Sequence, residues 1–267
     1  MLRKTVAAGQ FYPKNKEDLQ KTIKNFLPDK ISKISAKAII LPHAGYVYSG
    51  KVAVTTVSMV LAKKRIIILG PNHTGSGSTF SLYPCGSWQT PLGIIDVDKE
   101  LHEAIISNGD NIKIDASAHG HEHSIEVELP ILKYFFKQFT FIALSCKKAT
   151  IQAYEKVAEQ LFLALKAFRN EIILVASTDL THYEPEPAAR KKDSQVIEAI
   201  INIDADQLLN VVRKKNITMC GIAPVAILLK YLKKIEAKKA QVALYQTSGD
   251  VCGDYDSVVG YAGIIIN

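Results

Sequence analysis

Three apolar runs, each delivering a histidine, constrain this chain more than any other feature. Ala38-Ile39-Ile40-Leu41 leads through Pro42 to His43. Ile66-Ile67-Ile68-Leu69 leads through Gly70-Pro71-Asn72 to His73. Ile172-Ile173-Leu174-Val175-Ala176 leads through Ser177-Thr178-Asp179-Leu180-Thr181 to His182. Apolar runs without alternation read as strands buried on both faces. In an open parallel sheet, ligands bind outside the carboxyl ends of the strands. Three parallel strands of this kind would bring all three imidazoles out at one edge.

The segments between them have helical spacing. Leu19, Ile23, Phe26 and Leu27 predict one helix, stopped by Pro28. Ser49 reads as the N-cap of a second, running to about Ala62. Further helices are predicted at about 98–107, 150–168, 188–201, 204–214 and up to about 235. Strands are predicted at 139–145, 240–247 and 257–266. The segment Phe80–Val97 reads as two short strands joined by a turn-rich stretch. Such alternation predicts a three-layer α/β/α sandwich around a mixed, largely parallel sheet, in a single domain over residues 1–267.

The chain has 267 residues and a formal net charge of +7. Its basic residues are spread along the chain in short clusters such as Arg190-Lys191-Lys192 and Lys238-Lys239, so a solvated surface is favoured over nucleic-acid binding. No apolar run reaches membrane-span length, and the N-terminal residues lack the apolar core of a signal peptide. A cytoplasmic protein is expected. The four cysteines, Cys85, Cys146, Cys220 and Cys252, form no CxxC pair and read as free thiols. No GxSxG elbow, Walker loop or GxGxxG fingerprint is present.

Imidazole is the commonest protein metal ligand, and it also titrates near neutrality. His43 and His73 sit on strands joined by one helix, which makes them expected neighbours and candidate metal ligands. A third donor must come from elsewhere. Cys252, Asp250 and Asp254 lie in a glycine-rich turn that can close over the site. A thiolate there would suit copper(I), zinc or iron, and a carboxylate would suit iron(II). Asp179 precedes His182 by three residues and is expected to fix its tautomer, leaving His182 as an acid–base group or a further ligand. His119, His121 and His123 resemble a metal tract, but their spacing gathers them only on extended chain. Of these, His123 is expected to reach the cleft, with Glu126 behind it.

An ordered set of short motifs then resembles the Memo family. These are Gly9-x-Phe11-Tyr12-Pro13, Pro42-His43-Ala44-Gly45-Tyr46, Gly70-Pro71-Asn72-His73, Trp88-x-Thr90-Pro91-Leu92-Gly93, Glu122-His123-Ser124-Ile125-Glu126-x-x-Leu129-Pro130, Ser177-x-Asp179-Leu180-x-His182 and Val259-Gly260-Tyr261-Ala262. That family is similar in fold to class III extradiol dioxygenases, whose non-haem iron(II) is held by two histidines and a glutamate. The resemblance implies His43 and His73 as metal ligands, His182 as the acid–base residue and His123 as a second cleft histidine. No glutamate of the last 35 or so residues suits the third position, and a C-terminal cysteine can take it in Memo proteins, with Cys252 the nearest match. Iron or copper is implied as the cofactor, zinc less so, and a radical-SAM protein is an implied partner.

Two classes of function follow. One is a metal-dependent redox enzyme of the dioxygenase type. The other is a non-catalytic protein that binds a peptide, a metabolite or a metal in the same cleft, with Tyr46, Tyr48, Trp88 and Tyr183 as recognition surface. A zinc hydrolase with Glu122 or Glu126 as base is a third arrangement of the same donors.

Overall fold

The structure is a computed structural model that describes all 267 residues. Its strands are β1 (Leu2–Arg3), β2 (Ala38–Leu41), β3 (Arg65–Pro71), β4 (Phe80–Leu82), β5 (Ser87–Thr90), β6 (Gly93–Asp96), β7 (Lys113–Ile114), β8 (Thr140–Cys146), β9 (Ile172–Ser177), β10 (His182–Glu184), β11 (Ala240–Thr247) and β12 (Val258–Ile266). Its helices are α1 (Lys16–Asn25), α2 (Tyr46–Ser58), α3 (Lys99–Ser107), α4 (Glu128–Phe136), α5 (Ile151–Ala164), α6 (Glu186–Ile201), α7 (Ala205–Lys215), α8 (Ile222–Lys234) and the single turn α9 (Gly249–Cys252).

The main sheet has the order β10-β12-β2-β9-β3-β8-β4-β7, with β11 also paired to β12. Its centre, β2-β9-β3-β8, is parallel throughout. β12 joins β2, and β4 joins β8, in antiparallel fashion. The expected mixed, largely parallel sheet is therefore present. Every residue of β2 and β9 is buried, because helices cover both faces. The two faces can be read from β12. A Cβ at Gly263 would meet Thr56 of α2, and one at Gly260, on the other face, would meet Asp193 of α6. α6 packs on α7, α7 on α8 and α8 on α5, which completes that outer layer. One connected core of 72 buried residues joins the layers, so the strand ends stand on a rigid base.

Two local expectations are corrected. α2 begins at Tyr46 with Gly45 as its cap, and Ser49 lies inside the first turn, its hydroxyl donating to the Ala44 carbonyl. The helix also stops at Ser58, four residues before the expected end. Within 80–97, β4 and β6 do not pair. β4 joins the main sheet, while β5 and β6 form a hairpin that pairs with β1 in a separate three-stranded sheet. The antiparallel character of the main sheet comes from its two flanks.

Candidate metal centre

The carboxyl ends of β2, β3 and β9 do converge. The His43 and His73 rings lie 5.2 Å apart between centroids. His123 joins them, 4.8 Å from His73 in a stacked arrangement and 5.5 Å from His43. The fourth side chain of the cluster is Cys220. Its Sγ lies 3.4 Å from His43 Nε2. Donor atoms of His43, His73 and Cys220 all fall within 4.8 Å of one another, and so do those of Asp179, His182 and Cys220.

Two glycines make the convergence possible. Gly70 lies where a Cβ would meet Ile125 Cγ1 at 2.6 Å and Ser124 Oγ at 2.7 Å, so the 122–125 segment can press against the end of β3. Gly221 lies where a Cβ would meet Thr178 Cβ at 2.3 Å. This lets the Cys220 loop close onto the end of β9, where the Gly221 amide donates to Thr178 Oγ1. Cys220 was passed over in the sequence because it stands on neither a strand end nor the glycine-rich turn. The one signal was Cys220-Gly221 directly before α8.

The imidazoles are held by their Nδ1 atoms. His73 Nδ1 lies 2.9 Å from Glu122 Oε1. Burial alone would raise the Glu122 pKa, but hydrogen bonds from the His73 ring and from the backbone amides of His73 and Ser124 outweigh it and pull it to about 2. Glu122 is therefore an acceptor, His73 Nδ1 carries the proton, and Nε2 keeps a free lone pair. His182 Nδ1 lies 2.8 Å from the Leu180 carbonyl, which can only accept, so the same tautomer follows. This carbonyl, rather than Asp179, sets the His182 ring. His43 Nδ1 lies 2.7 Å from Ser177 Oγ, which is in turn 2.9 Å from both the Ser124 carbonyl and Glu128 Oε1. Burial, with His73 and His123 nearby, lowers the His43 pKa far below the ordinary imidazole value, so the ring is neutral.

The donor set suits a soft or borderline metal ion. Two imidazoles offering Nε2, with a sulfur beside them, match copper(I), zinc or iron chemistry. Burial, then the nearby Asp179 charge, pushes the Cys220 thiol up to about 12. A cation bound there would have to displace a proton from Cys220, which would couple its uptake to pH.

The remaining expected residues lie in known places. Asp179 accepts the His43 backbone N–H at 2.9 Å, and burial raises its pKa to about 6 against the opposing effect of His182. Cys252 lines the same cavity from its exposed rim. Asp250 is engaged by Arg190 and the Thr247 amide, and Asp254 accepts from the Asp256 amide. His119 is buried among Tyr83 and Trp88, with its Nε2 on the Ser81 carbonyl, and His121 is exposed. The histidine tract is thus divided three ways. Glu126 does not stand behind His123. It is buried and accepts from Arg3, the Val6 and Ala7 amides and the Tyr12 hydroxyl. The cavity holds about 410 Å³ and has Phe11, Tyr48, Tyr183 and Tyr261 in its walls. Tyr46 is buried with its hydroxyl on the Val127 carbonyl, and Trp88 is in the core under Arg3, so neither belongs to the recognition surface.

Glu122 gives a pH prediction. Its folded-state pKa lies below the unfolded value, so its contribution is complete above about pH 4.5 and is lost as the pH falls through about 2. The difference corresponds to about 3 kcal/mol. Glu122→Gln should cost stability near neutral pH and much less near the acid limit. Urea unfolding of both proteins at the two extremes tests this, and an equal gap at both would refute it.

An α/β sandwich whose strand ends gather three imidazoles and a thiol at one edge is the class of protein that this geometry defines. The Memo-like protein family model matches residues 3–265. The chain belongs to the Memo family. It is 40% identical over 278 residues to a MEMO1 family protein of Methanobrevibacter smithii, covering 98% of each chain. Its identity to a MEMO1 family protein of Methanopyrus kandleri is 37%, covering 99% of each, and to one of Aquifex aeolicus 38%, covering 99% of this chain and 98% of that one. Among solved structures, an uncharacterized protein of Escherichia coli K12 is similar in fold, with a TM-score of 0.56 at 12% identity, covering 85% of this chain and 98% of that one. No helix is long and apolar enough to cross a membrane.

Proposed function

We propose that this protein binds one redox-active metal ion, iron or copper, through His43, His73 and Cys220, and acts as an oxidoreductase of the dioxygenase type on a small ligand held in the adjoining cavity. One observation carries the reading. The donor atoms of His43, His73 and Cys220 fall within 4.8 Å of one another, and the Nδ1 partners of both imidazoles leave Nε2 free to face the sulfur. A bound iron or copper ion would supply electron exchange and Lewis acidity.

The chain's own residues then have separate tasks. Glu122 and Ser177 orient the two ligand imidazoles. His182, with its Nδ1 proton fixed on Leu180, presents Nε2 as a proton acceptor near Asp179 and Cys220. His123, neutral because burial lowers its pKa, forms cavity wall beside Phe11. Cys252 is a rim residue able to contact the ligand or to join as a further donor. Free thiols suit a reducing compartment such as the cytoplasm. A zinc hydrolase has less support, because Glu122 and Glu126 are both consumed by structural hydrogen bonds and neither is free as a base.

Elemental analysis of untagged protein purified without oxygen tests the reading, with the His43→Ala/His73→Ala double variant alongside. About one iron or copper per chain, lost in the variant, is the expected result. No metal in either sample after reconstitution would overturn it, and would favour a cleft that binds an organic ligand without turnover.

A further inference from the structure

The cavity differs in charge from the rest of the molecule. The chain carries +7 overall, yet none of the 15 residues lining the cavity is lysine or arginine. Asp179 is the only charged residue among them. Glu122 lies directly behind His73, its carboxylate 2.9 Å from the ring Nδ1. The loop over the mouth, residues 249–257, carries Asp250, Asp254 and Asp256 and no basic residue, with Asp250 paired to Arg190 of α6.

The basic residues have collected elsewhere. One groove is bordered by Lys16, Lys24, Lys133 and Lys137, and another by Lys64, Arg65 and Lys99. Both lie away from the cavity residues. The segregation decides what kind of ligand the cavity can desolvate. A carboxylate or phosphate entering it would give up water for a site with no cationic side chain and with two carboxylates near the floor, which is costly. An organic cation would meet the opposite field.

The walls point the same way. Phe11, Tyr48, Tyr183 and Tyr261 line the cavity, and ring faces attract ammonium groups. Tyr261 is buried, and its hydroxyl feels Asp179, Tyr48 and Tyr183 together, which places aromatic rings and carboxylate in one neighbourhood. Tyr183 stands at the rim, 77% exposed and at φ 59. A non-glycine residue held in the left-handed region, with its ring out in solvent, is a backbone cost that a ligand contact would explain. The volume of about 410 Å³ suits a molecule with one ring and a short side chain.

We propose that the cavity takes a small organic cation, an ammonium group carried on an apolar or aryl body, with Asp179 facing the charge and the tyrosines enclosing it. This rests on the cavity being the ligand site of the proposed function, and it deepens that reading by naming a ligand class.

Three probes of matched size test the proposal on the full-length protein: phenethylammonium, 2-phenylethanol and 3-phenylpropionate. Binding is followed by calorimetry and by ligand-observed NMR, on metal-free protein and on protein titrated with Zn²⁺ alone. Phenethylammonium is expected to bind at least about tenfold tighter than the carboxylate in both forms. Asp179→Asn should remove most of that ratio while the alcohol binds unchanged. Tyr183→Ala, at an exposed position, should weaken the ammonium more than the alcohol. Equal or tighter binding of the carboxylate, no response to Asp179→Asn, or no binding of any probe would overturn the proposal. The two readings fail separately. Zn²⁺ binding without ammonium preference removes only the ligand class, and ammonium preference without metal binding removes only the metal centre.

Discussion

Cys220→Ala is expected to lower affinity for a thiophilic metal ion by more than about a hundredfold, beyond what loss of an outer hydrogen-bond partner costs. The same substitution at Cys252 is expected to change it little. The two cysteines differ in placement. Cys220 Sγ lies 3.4 Å from His43 Nε2 and receives the Asp179 backbone N–H at 3.2 Å, so its position is fixed from two sides. Cys252 sits on an exposed single turn at the rim. Removing the sulfur leaves two imidazoles, which cannot form the three-donor set that a tight site needs. Competition titration with a chromophoric chelator measures both variants. Comparable losses at the two cysteines would mean that the rim contributes a ligand, and a loss at Cys252 alone would displace Cys220 from the centre. Because the Cys220 thiol is protonated until a cation arrives, apparent affinity should also climb with pH in the parent protein and climb less in Cys220→Ala.

The second large effect is expected at Glu126. Glu126→Ala should destabilise the fold by about 3–5 kcal/mol, the range for breaking a buried ion pair from one side. Arg3 Nη1 lies 2.6 Å from the Glu126 carboxylate, and the two side chains are 5% and 0% exposed. The same carboxylate receives the Val6 and Ala7 amides and the Tyr12 hydroxyl. Four donors from residues 3–12 thus end on one side chain. Without it, Arg3 keeps its bonds to the His119 and Glu122 carbonyls but loses its counter-charge. The consequence should reach the cavity, since Phe11 lies 4.4 Å from the His123 ring and its carbonyl accepts from the Tyr46 amide. Denaturant unfolding gives the stability change, and limited proteolysis within residues 1–13 reports release of the segment. A loss below about 1 kcal/mol with no new cleavage would show that the network is redundant.

Much of this architecture is legible in the chain because it depends on local patterns. Unbroken β-branched runs at 38–41, 66–69 and 172–176 require burial on both faces, and that requirement makes the sheet parallel at its centre and lines up the three histidines. What could not be read were partnerships between residues far apart in sequence. Glu122 and Glu126 lie four positions apart in one motif, yet one orients the His73 ring and the other anchors the first residues of the chain. Nothing in their spacing separates the two roles; the packing of residues 3–12 does. Cys220 escaped for the same reason, since its approach to His43 depends on a loop closing over Thr178 across 42 positions of sequence. The pairing of β4 with β8 was equally non-local. Tyr46 and Trp88 were misplaced because an aromatic side chain beside a motif serves core or cavity equally well until its neighbours are known.

The donors and the walls of the cavity come from different parts of the molecule. His43 and His73 follow central strands, and their supports Ser177, Glu122 and Ser124 are packed beneath them. Tyr183 and residues 250–257, by contrast, are exposed at the outer rim. The floor is therefore costly to alter, because each change there disturbs the core, whereas the walls can vary at little cost to folding. Over long times the two should drift at different speeds. Descendants of one ancestor could keep the same ion in the same grip while coming to accept quite different guests, and kinship in such a lineage would say more about what the floor holds than about what the doorway admits.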